Sequence, residues 1–341
     1  MPAGTQLQTY LSAGAPGTAF CLDAGTYLPT KVLRPQSGQR LYGVPGATVI
    51  DGLGTTPSLF DSCSLTGSTG QCASTDPTGV QLYDLTLQNA KTYDVRTGSG
   101  WFLDDIVATG SGQYGIVLRG SGTVVQNSFA EHDGRFGITA SFTDGGTIRN
   151  DVIAYDNSPV NPPGNSGATH FTNTRNLQVL DNYVHDNYGR GIWFDIDSVG
   201  ALIQGNTVSN EINYNQGLGY AVGDGIRVEI SCRITVQDNI AFADQGPQVA
   251  IDGSDGDLVT GNSVTAPAGQ PGIRIAPQDQ RAGQPNNNGN CDSTPKTATN
   301  NVVSGNDITL QGANPAADYD GIQQLNGASN TSGTAFGPNT Y

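Results

Sequence analysis

Apolar residues in this chain come in short runs, and the runs return at a near-constant interval. A β-type triplet (SFA, DVI, YVH, TVS, IAF, SVT, DIT) follows each of Asn127, Asn150, Asn182, Asn206, Asn239, Asn262 and Asn306, at intervals of 23, 32, 24, 33, 23 and 44 residues. Asp84 and Asp105 extend the series backwards at 21 and 22. A second mark, Gly-Ile, precedes the Asn by 12–15 residues at Gly115-Ile116, Gly137-Ile138, Gly191-Ile192 and Gly225-Ile226. Strands this short cannot bury an apolar face alone. A basic period of 21–24 residues with longer intervals holding insertions therefore predicts stacked coils, an all-β parallel β-helix of about nine or ten turns.

The remaining segments fit around that stack. Residues 5–15 predict a short amphipathic helix capping the open N-terminal end of the core. The expected organisation is a single domain: cap and first coils over 1–79, regular coils over 80–310, and a C-terminal cover over 311–341. Three insertions interrupt the coils, at 157–167, 210–223 and 279–297. Insertions in repeat proteins gather on one face, so these are expected to wall the face displayed by the Gly-Ile strands.

Alternation along those strands assigns their side chains. The inward set Ile116, Ile138, Ile192, Phe194, Ile226, Val228, Val249, Ile251, Ile273 and Ile275 is wholly apolar, which fixes the register. One outward column then reads Val117, Thr139, His170, Trp193, Arg227, Ala250, Arg274. The next reads Arg119, Ser141, Thr172, Asp195, Glu229, Asp252, Ala276, and a third places Asp197 beside Ser231. Asp195, Glu229 and Asp252 thus stack in neighbouring coils about 4.8 Å apart. Such a ladder persists if a cation sits in it, if one member is protonated, or if water solvates it. Trp193 is expected at the surface, where a sugar ring could stack on it, and a buried Trp193 would signal a slip of one residue. Arg190 and His185 are further candidates for substrate contact, His185 equally as a turn cap. The Asn series itself reads as structural.

The net charge of −15 lacks the basic footprint that nucleic acid requires. It also disfavours a polyanionic glycan unless a cation bridges it. No run of 18 apolar residues exists to span a membrane. Of five cysteines, Cys63 and Cys72 flank a Gly/Ser/Thr loop and are expected to form a disulfide. Cys232 and Cys291 could pair across an insertion, leaving Cys21 as a small buried hydrophobe. Disulfides point to an extracellular protein.

The Asn series, with GIWFDID at 191–197 and GIRVEIS at 225–231, resembles the right-handed, single-stranded parallel β-helices of the pectate-lyase-like superfamily. The stretch DNYVHDNYGRGIWFDID is similar to a secreted bacterial branch of it. The resemblance implies the fold over nearly the whole chain and leaves the reaction open, because the superfamily includes lyases, hydrolases, epimerases and non-catalytic tailspikes. The NTD…DD…GHG…RIK set of polygalacturonases is absent, as is a YGFDPH-like epimerase motif: Tyr114-Gly115 continues as Ile-Val-Leu. Three functions follow. A secreted glycoside hydrolase acting on a polysaccharide would draw acid and base from Asp195, Asp197, Glu229 and Asp252, with His170 and Arg227 beside them, and need no cofactor. A polysaccharide lyase would hold Ca²⁺ on Asp195, Glu229 and Asp252 and use Arg227 or Arg274 as base. A glycan-binding adhesion β-helix would do neither.

Overall fold

Each coil turns a corner on one residue in the left-handed conformation. In the computed structural model, which describes residues 1–66, 71–157, 166–213, 223–277, 291, 297–312, 322–324 and 333–340, the described residues fall into two compact units, 1–158 and 159–341. In the first unit the corner residues are Asp84, Asp105, Asn127 and Asn150, with φ of 57°, 52°, 52° and 55°. In the second they are Asp181, Gly205, Asp238, Gly261 and Gly305, with φ between 54° and 70°. Asn, Asp and Gly tolerate this region best. The corner separates two short strands, such as Val124–Gln126 and Phe129–Glu131, and each pairs in parallel with its equivalent in the next coil.

The residue after the corner points inward and is buried: Ser128 and Asp151 in the first unit, Asn182, Asn206, Asn239, Asn262 and Asn306 in the second. The repeating Asn therefore mixes two positions. Asn127 and Asn150 are corners, whereas Asn182 onwards are buried rungs one residue later. The buried rungs form a ladder: Asn206 Oδ1 accepts the backbone N–H of Asn182 at 2.9 Å and its Nδ2–H at 2.9 Å. Asn239, Asn262 and Asn306 continue it at 2.9–3.0 Å. In the first unit Asp151 Oδ1 plays the same part for Ser128 N–H at 2.7 Å.

The third side of each coil is the Gly-Ile strand. The first unit supplies Ser58–Asp61, Tyr93–Arg96, Tyr114–Leu118 and Phe136–Ser141. The second supplies Thr169–Thr172, Ile192–Asp195, Ile226–Glu229, Val249–Asp252, Ile273–Ala276 and Ile322–Gln324. All ten inward residues named above are fully buried. The glycine has a packing cause: a Cβ on Gly115, Gly137 or Gly225 would lie 2.2–2.3 Å from Oδ2 of the buried Asp133, Asp156 or Asp244. Parallel coils stacked in this way constitute a parallel β-helix.

The helix spans Leu7–Ala13 and buries Leu7 and Leu11. Its terminal carbonyls accept from Gln36 and Gln39, whose Nε2 groups reach Leu11 O at 3.0 and 2.9 Å. Cys63 bonds to Cys72 and Cys232 to Cys291, while Cys21 is free and exposed, not buried as expected, because it lies on the first strand, Ala19–Cys21, with its side chain outward. Among the described residues no helix is long and apolar enough to cross a membrane. Most of each insertion (158–165, 214–222, and 279–297 apart from 291 and 297) and most of 311–341 lie outside the described residues, and with them the expected walls of the Gly-Ile face.

Two predictions follow from the core. Burial pushes the Asp151 carboxyl up to about 8, against backbone N–H donors that pull it down, and Asp257 up to about 7 for the same reason. The folded state therefore holds protons that the unfolded chain releases near pH 4. That stability is fully present in acid and is lost as pH rises towards 8. Asp151→Asn, which installs the residue found at the other rungs, should stabilise the fold by about a few kcal/mol at pH 9 and leave it unchanged at pH 3.5, read by thermal melts at both. Alkylation of unreduced, denatured protein should label Cys21 alone.

Candidate functional site

In the second unit the strand pairing places Trp193 opposite Arg227, Arg227 opposite Ala250 and Ala250 opposite Arg274. Thr172 lies opposite Asp195, and Glu229 opposite Asp252. Phe194 pairs with Val228, so Asp195 stands beside Glu229. His170 precedes Phe171, the partner of Phe194, and so stands beside Trp193.

Three guanidinium groups and an imidazole occupy the spaces between the carboxylates. Arg227 forks to three of them: Asp224 Oδ2 at 2.7 Å, Asp252 Oδ2 at 2.9 Å and Glu229 Oε2 at 3.2 Å. Arg274 meets Asp252 through two nitrogens. His170 Nε2 lies 3.2 Å from Asp195 Oδ2. The cation that a carboxylate ladder needs is thus supplied by the protein. Burial works against the charge on Arg227, but Glu229, Asp252 and Asp224 outweigh it and hold its proton well above the ordinary guanidinium range. Each contact is worth about 4 kcal/mol at an effective dielectric of 20, so three of them offset a desolvation cost of several kcal/mol. Burial and the neighbouring charge of Arg227 hold Arg190 below the ordinary range.

Trp193 is only 1 % exposed, contrary to the sugar-stacking surface expected of it. The register has not slipped. The indole is covered from outside: His170 stacks on it at 3.9 Å, the Arg190 guanidinium lies 4.0 Å from its centroid, and Nε1–H donates to Glu229 at 3.0 Å. Alternation says which side a residue faces, not what lies over it.

Two candidates stand apart from the ladder. Asp197 is buried, and its Oδ1 accepts the backbone N–H of Cys291 at 3.0 Å, anchoring the disulfide-linked residue. His185 belongs to the Tyr183–His185 strand of the other sheet, with Nδ1 2.7 Å from Asp186 Oδ2 and its ring on Tyr183. Conversely, Asp224 was not found from the sequence. It precedes its strand and lies outside the outward columns, so its ties to Arg227 and Arg190 reveal it.

Each ladder carboxylate is followed by a left-handed residue: Ile196 at φ 42°, Ile230 at φ 46° and Gly253 at φ 62°. For β-branched isoleucine this is strain of about 1–3 kcal/mol, the kind that gathers at functional sites. The "D-I" and "E-I" pairs at the strand ends were the available signal.

The ladder carboxylates are met by groups of the protein itself. Among the described residues Asp195, Glu229 and Asp252 are not among the groups of ligand atoms close enough to share an ion. The one such group is Cys63, Cys72 and Asp76, where the sulfurs are disulfide-bonded. Each ladder carboxylate faces His170, Trp193 or an arginine instead.

A ladder of charged groups on one sheet of a parallel β-helix defines the class. The sequence profile of the right-handed β-helix region matches residues 94–278, more than half of the chain, and the protein belongs to that family. No curated protein sequence matches it. Among solved structures it is similar to the A-module of Azotobacter vinelandii mannuronan C-5 epimerase AlgE6, at 20 % identity and a TM-score of 0.75, covering 99 % of this chain and 91 % of that one. The AlgE4 A-module from the same organism gives 17 % and 0.69, covering 99 % and 92 %. The DFA-IIIase of Arthrobacter chlorophenolicus A6, in complex with GF2, gives 14 % and 0.61, covering 94 % and 83 %. At such identities the likeness is one of fold.

Removing the hub should expose its importance. Arg227→Met leaves Asp224, Glu229 and Asp252 buried without their shared cation and should cost about 3–5 kcal/mol in urea denaturation. Asp195→Asn, which keeps shape and removes one charge, should cost less than about 1 kcal/mol.

Proposed function

We propose that this chain is a carbohydrate-active enzyme, working outside the cytoplasm, that cleaves a polysaccharide with His170 and Asp195 as its proton-transfer pair. The observation that carries this reading is their 3.2 Å contact: the imidazole remains 15 % exposed while its carboxylate is fully buried. A buried carboxylate that holds Nε2–H sets the tautomer, leaves the lone pair on Nδ1 and stabilises the imidazolium. The fold is shared with proteins named for mannuronan C-5 epimerisation and for DFA-III hydrolysis, which supports a saccharide substrate. Two disulfides support an oxidising compartment.

The reaction these groups favour is β-elimination on a sugar whose C5 proton is acidified by its carboxyl group. His170 takes that proton, the electron pair becomes the C4=C5 double bond, the C4–O bond breaks, and the imidazolium returns the proton to the departing oxygen. No step runs through Ca²⁺. Hydrolysis is the second reading, favoured by the register that sets Asp195 beside Glu229, a spacing of about 5 Å suited to a retaining pair. The contacts of Glu229 with Trp193 and Arg227 weigh against it.

A panel of neutral and acidic polysaccharides, incubated with and without chelator, separates these routes. Unsaturated products that survive chelation, with kcat lowered about 10²–10⁴-fold in His170→Asn, are expected. Reducing ends without unsaturation, abolished in Glu229→Gln, would establish hydrolysis instead. Loss of elimination on chelation would restore calcium. Binding without any cleavage would place the chain among the adhesion β-helices.

A further inference from the structure

The turn that follows Asp195 is one residue longer than its equivalents in the neighbouring coils. Strand pairing sets Thr172 opposite Asp195 and Glu229 opposite Asp252, and further along it aligns Arg175, Val199, Cys232 and Asp255. Asp195 itself stands beside Glu229. Between these two aligned points lie 173 and 174 in one coil, 230 and 231 in another, and 253 and 254 in a third. In the coil of Asp195 they are 196, 197 and 198. Where the neighbours place one left-handed residue, Asn173, Ile230 or Gly253, this coil places two in succession, Ile196 at φ 42° and Asp197 at φ 60°. An extra residue on one side of a ladder re-aims the side chains next to it, and such bulges gather beside active sites.

The re-aimed side chain is Asp195. The left-handed turn brings the Ile196 N–H back onto Asp195 Oδ1 at 2.8 Å, and Oδ2 lies 3.2 Å from His170 Nε2. Holding one oxygen of a carboxylate fixes the direction of the other. Ser198 ties the turn to its strand: its buried Oγ–H donates to the Asp195 carbonyl at 3.1 Å, while its oxygen accepts the Thr174 N–H of the preceding coil at 3.2 Å. Asp197 is fully buried, and its Oδ1 accepts the backbone N–H of Cys291 at 3.0 Å, 94 residues further along the chain. Cys291 is bonded to Cys232, which pairs with Val199 at the far end of the turn and shares one buried cluster with it. A single disulfide therefore fastens the lengthened turn twice, at Asp197 through Cys291 and at Val199 through Cys232.

We propose that Asp197, tethered by the Cys232–Cys291 disulfide, is a positioning residue of the proton-transfer pair: it holds the lengthened turn in the shape that points the Asp195 carboxylate at His170. The proposal rests on the reading of His170 and Asp195 as that pair. Asp197 acts through the turn and not on the substrate. Two successive left-handed residues, one of them a β-branched isoleucine, persist only where the surroundings over-determine them. Without the acceptor on Asp197, or the bridge behind Cys291, the turn relaxes and the Ile196 N–H leaves Oδ1. The carboxylate then samples rotamers that no longer face the ring. A misplacement of about 1 Å in a group that directs the chemistry is enough to slow it.

Heteronuclear NMR of the imidazole nitrogens tests this without a substrate. His170→Asn identifies the His170 signals among the three histidines. At a pH where the ring is neutral, the wild type should show the Nε2–H tautomer that Asp195 holds. Asp197→Ala should show a mixture of tautomers, and its kcat on a cleaved polysaccharide should fall about tenfold at unchanged KM. Asp197→Asn keeps an acceptor at Oδ1 and should restore the single tautomer and most of the rate. If Asp197→Ala does not fold, the double variant Cys232→Ser, Cys291→Ser takes its place and should show the same mixture. A folded variant of either kind that keeps the wild-type tautomer overturns the proposal, whatever its rate. A loss as large in Asp197→Asn as in Asp197→Ala makes Asp197 a reacting group and overturns it too. A change of tautomer in a chain that cleaves nothing leaves the positioning standing and removes the catalytic reading.

Discussion

A stacked coil must bury the polar groups of its own corners, and only the neighbouring coil can satisfy them. Everything else in the molecule depends on that constraint. The left-handed corner turns the next side chain into the core, where water cannot reach, so the side chain must offer an acceptor to the backbone of the coil beside it. Asn206 does this for Asn182, and Asp151 for Ser128. The same need appears at the opposite corner: Asp133 receives the N–H of Ser111, and Asp244 that of Glu211. Those carboxylates then press so closely on Gly115 and Gly225 that no side chain fits. The Gly-Ile mark is therefore the imprint of a buried acid from another turn.

On the outward face of the second unit the constraint has the opposite form. There the carboxylates repeat in neighbouring coils, and Arg227 joins three into one network. Trp193 closes over the inner end of that network, with Nε1–H on Glu229 and His170 above its ring. The strained Ile196 and Ile230 end the two strands just past Asp195 and Glu229. At the edge of this ladder the His170 ring stays partly exposed while its partner Asp195 is fully buried.

The sequence made the coils and the register legible because the inward residues, from Ile116 to Ile275, leave no ambiguity about which side is core. It misaligned the Asn series because corner and rung are adjacent positions that both favour Asn and Asp, so Asn150 and Asn182 look alike while doing different jobs. It placed Asp195, Glu229, Asp252, His170 and Arg227 together correctly in register, since all sit on one strand repeat. Trp193 escaped because Arg190, which precedes the strand and lies outside the alternation, covers the ring together with its column neighbour His170. Asp224 escaped because it precedes its strand and lies outside the outward columns, and the left-handed turn at Ile196 and Ile230 because isoleucine there reads as one more strand residue. Asp197 stands apart because the chain turns left-handed there and its carboxylate accepts the backbone N–H of Cys291.

The buried rungs also bear on how such a molecule ages. Asp151 and the Asn rungs from Asn182 onwards occupy equivalent positions, and Asp differs from Asn there by its ability to lose a proton. Slow deamidation of Asn206 or Asn239 would convert a neutral rung into the kind already seen at Asp151. A stored sample would then accumulate species that look native in acid and become fragile towards alkali. Chemical ageing of this protein would thus be recorded as a drift in its alkaline tolerance rather than as any change in its shape.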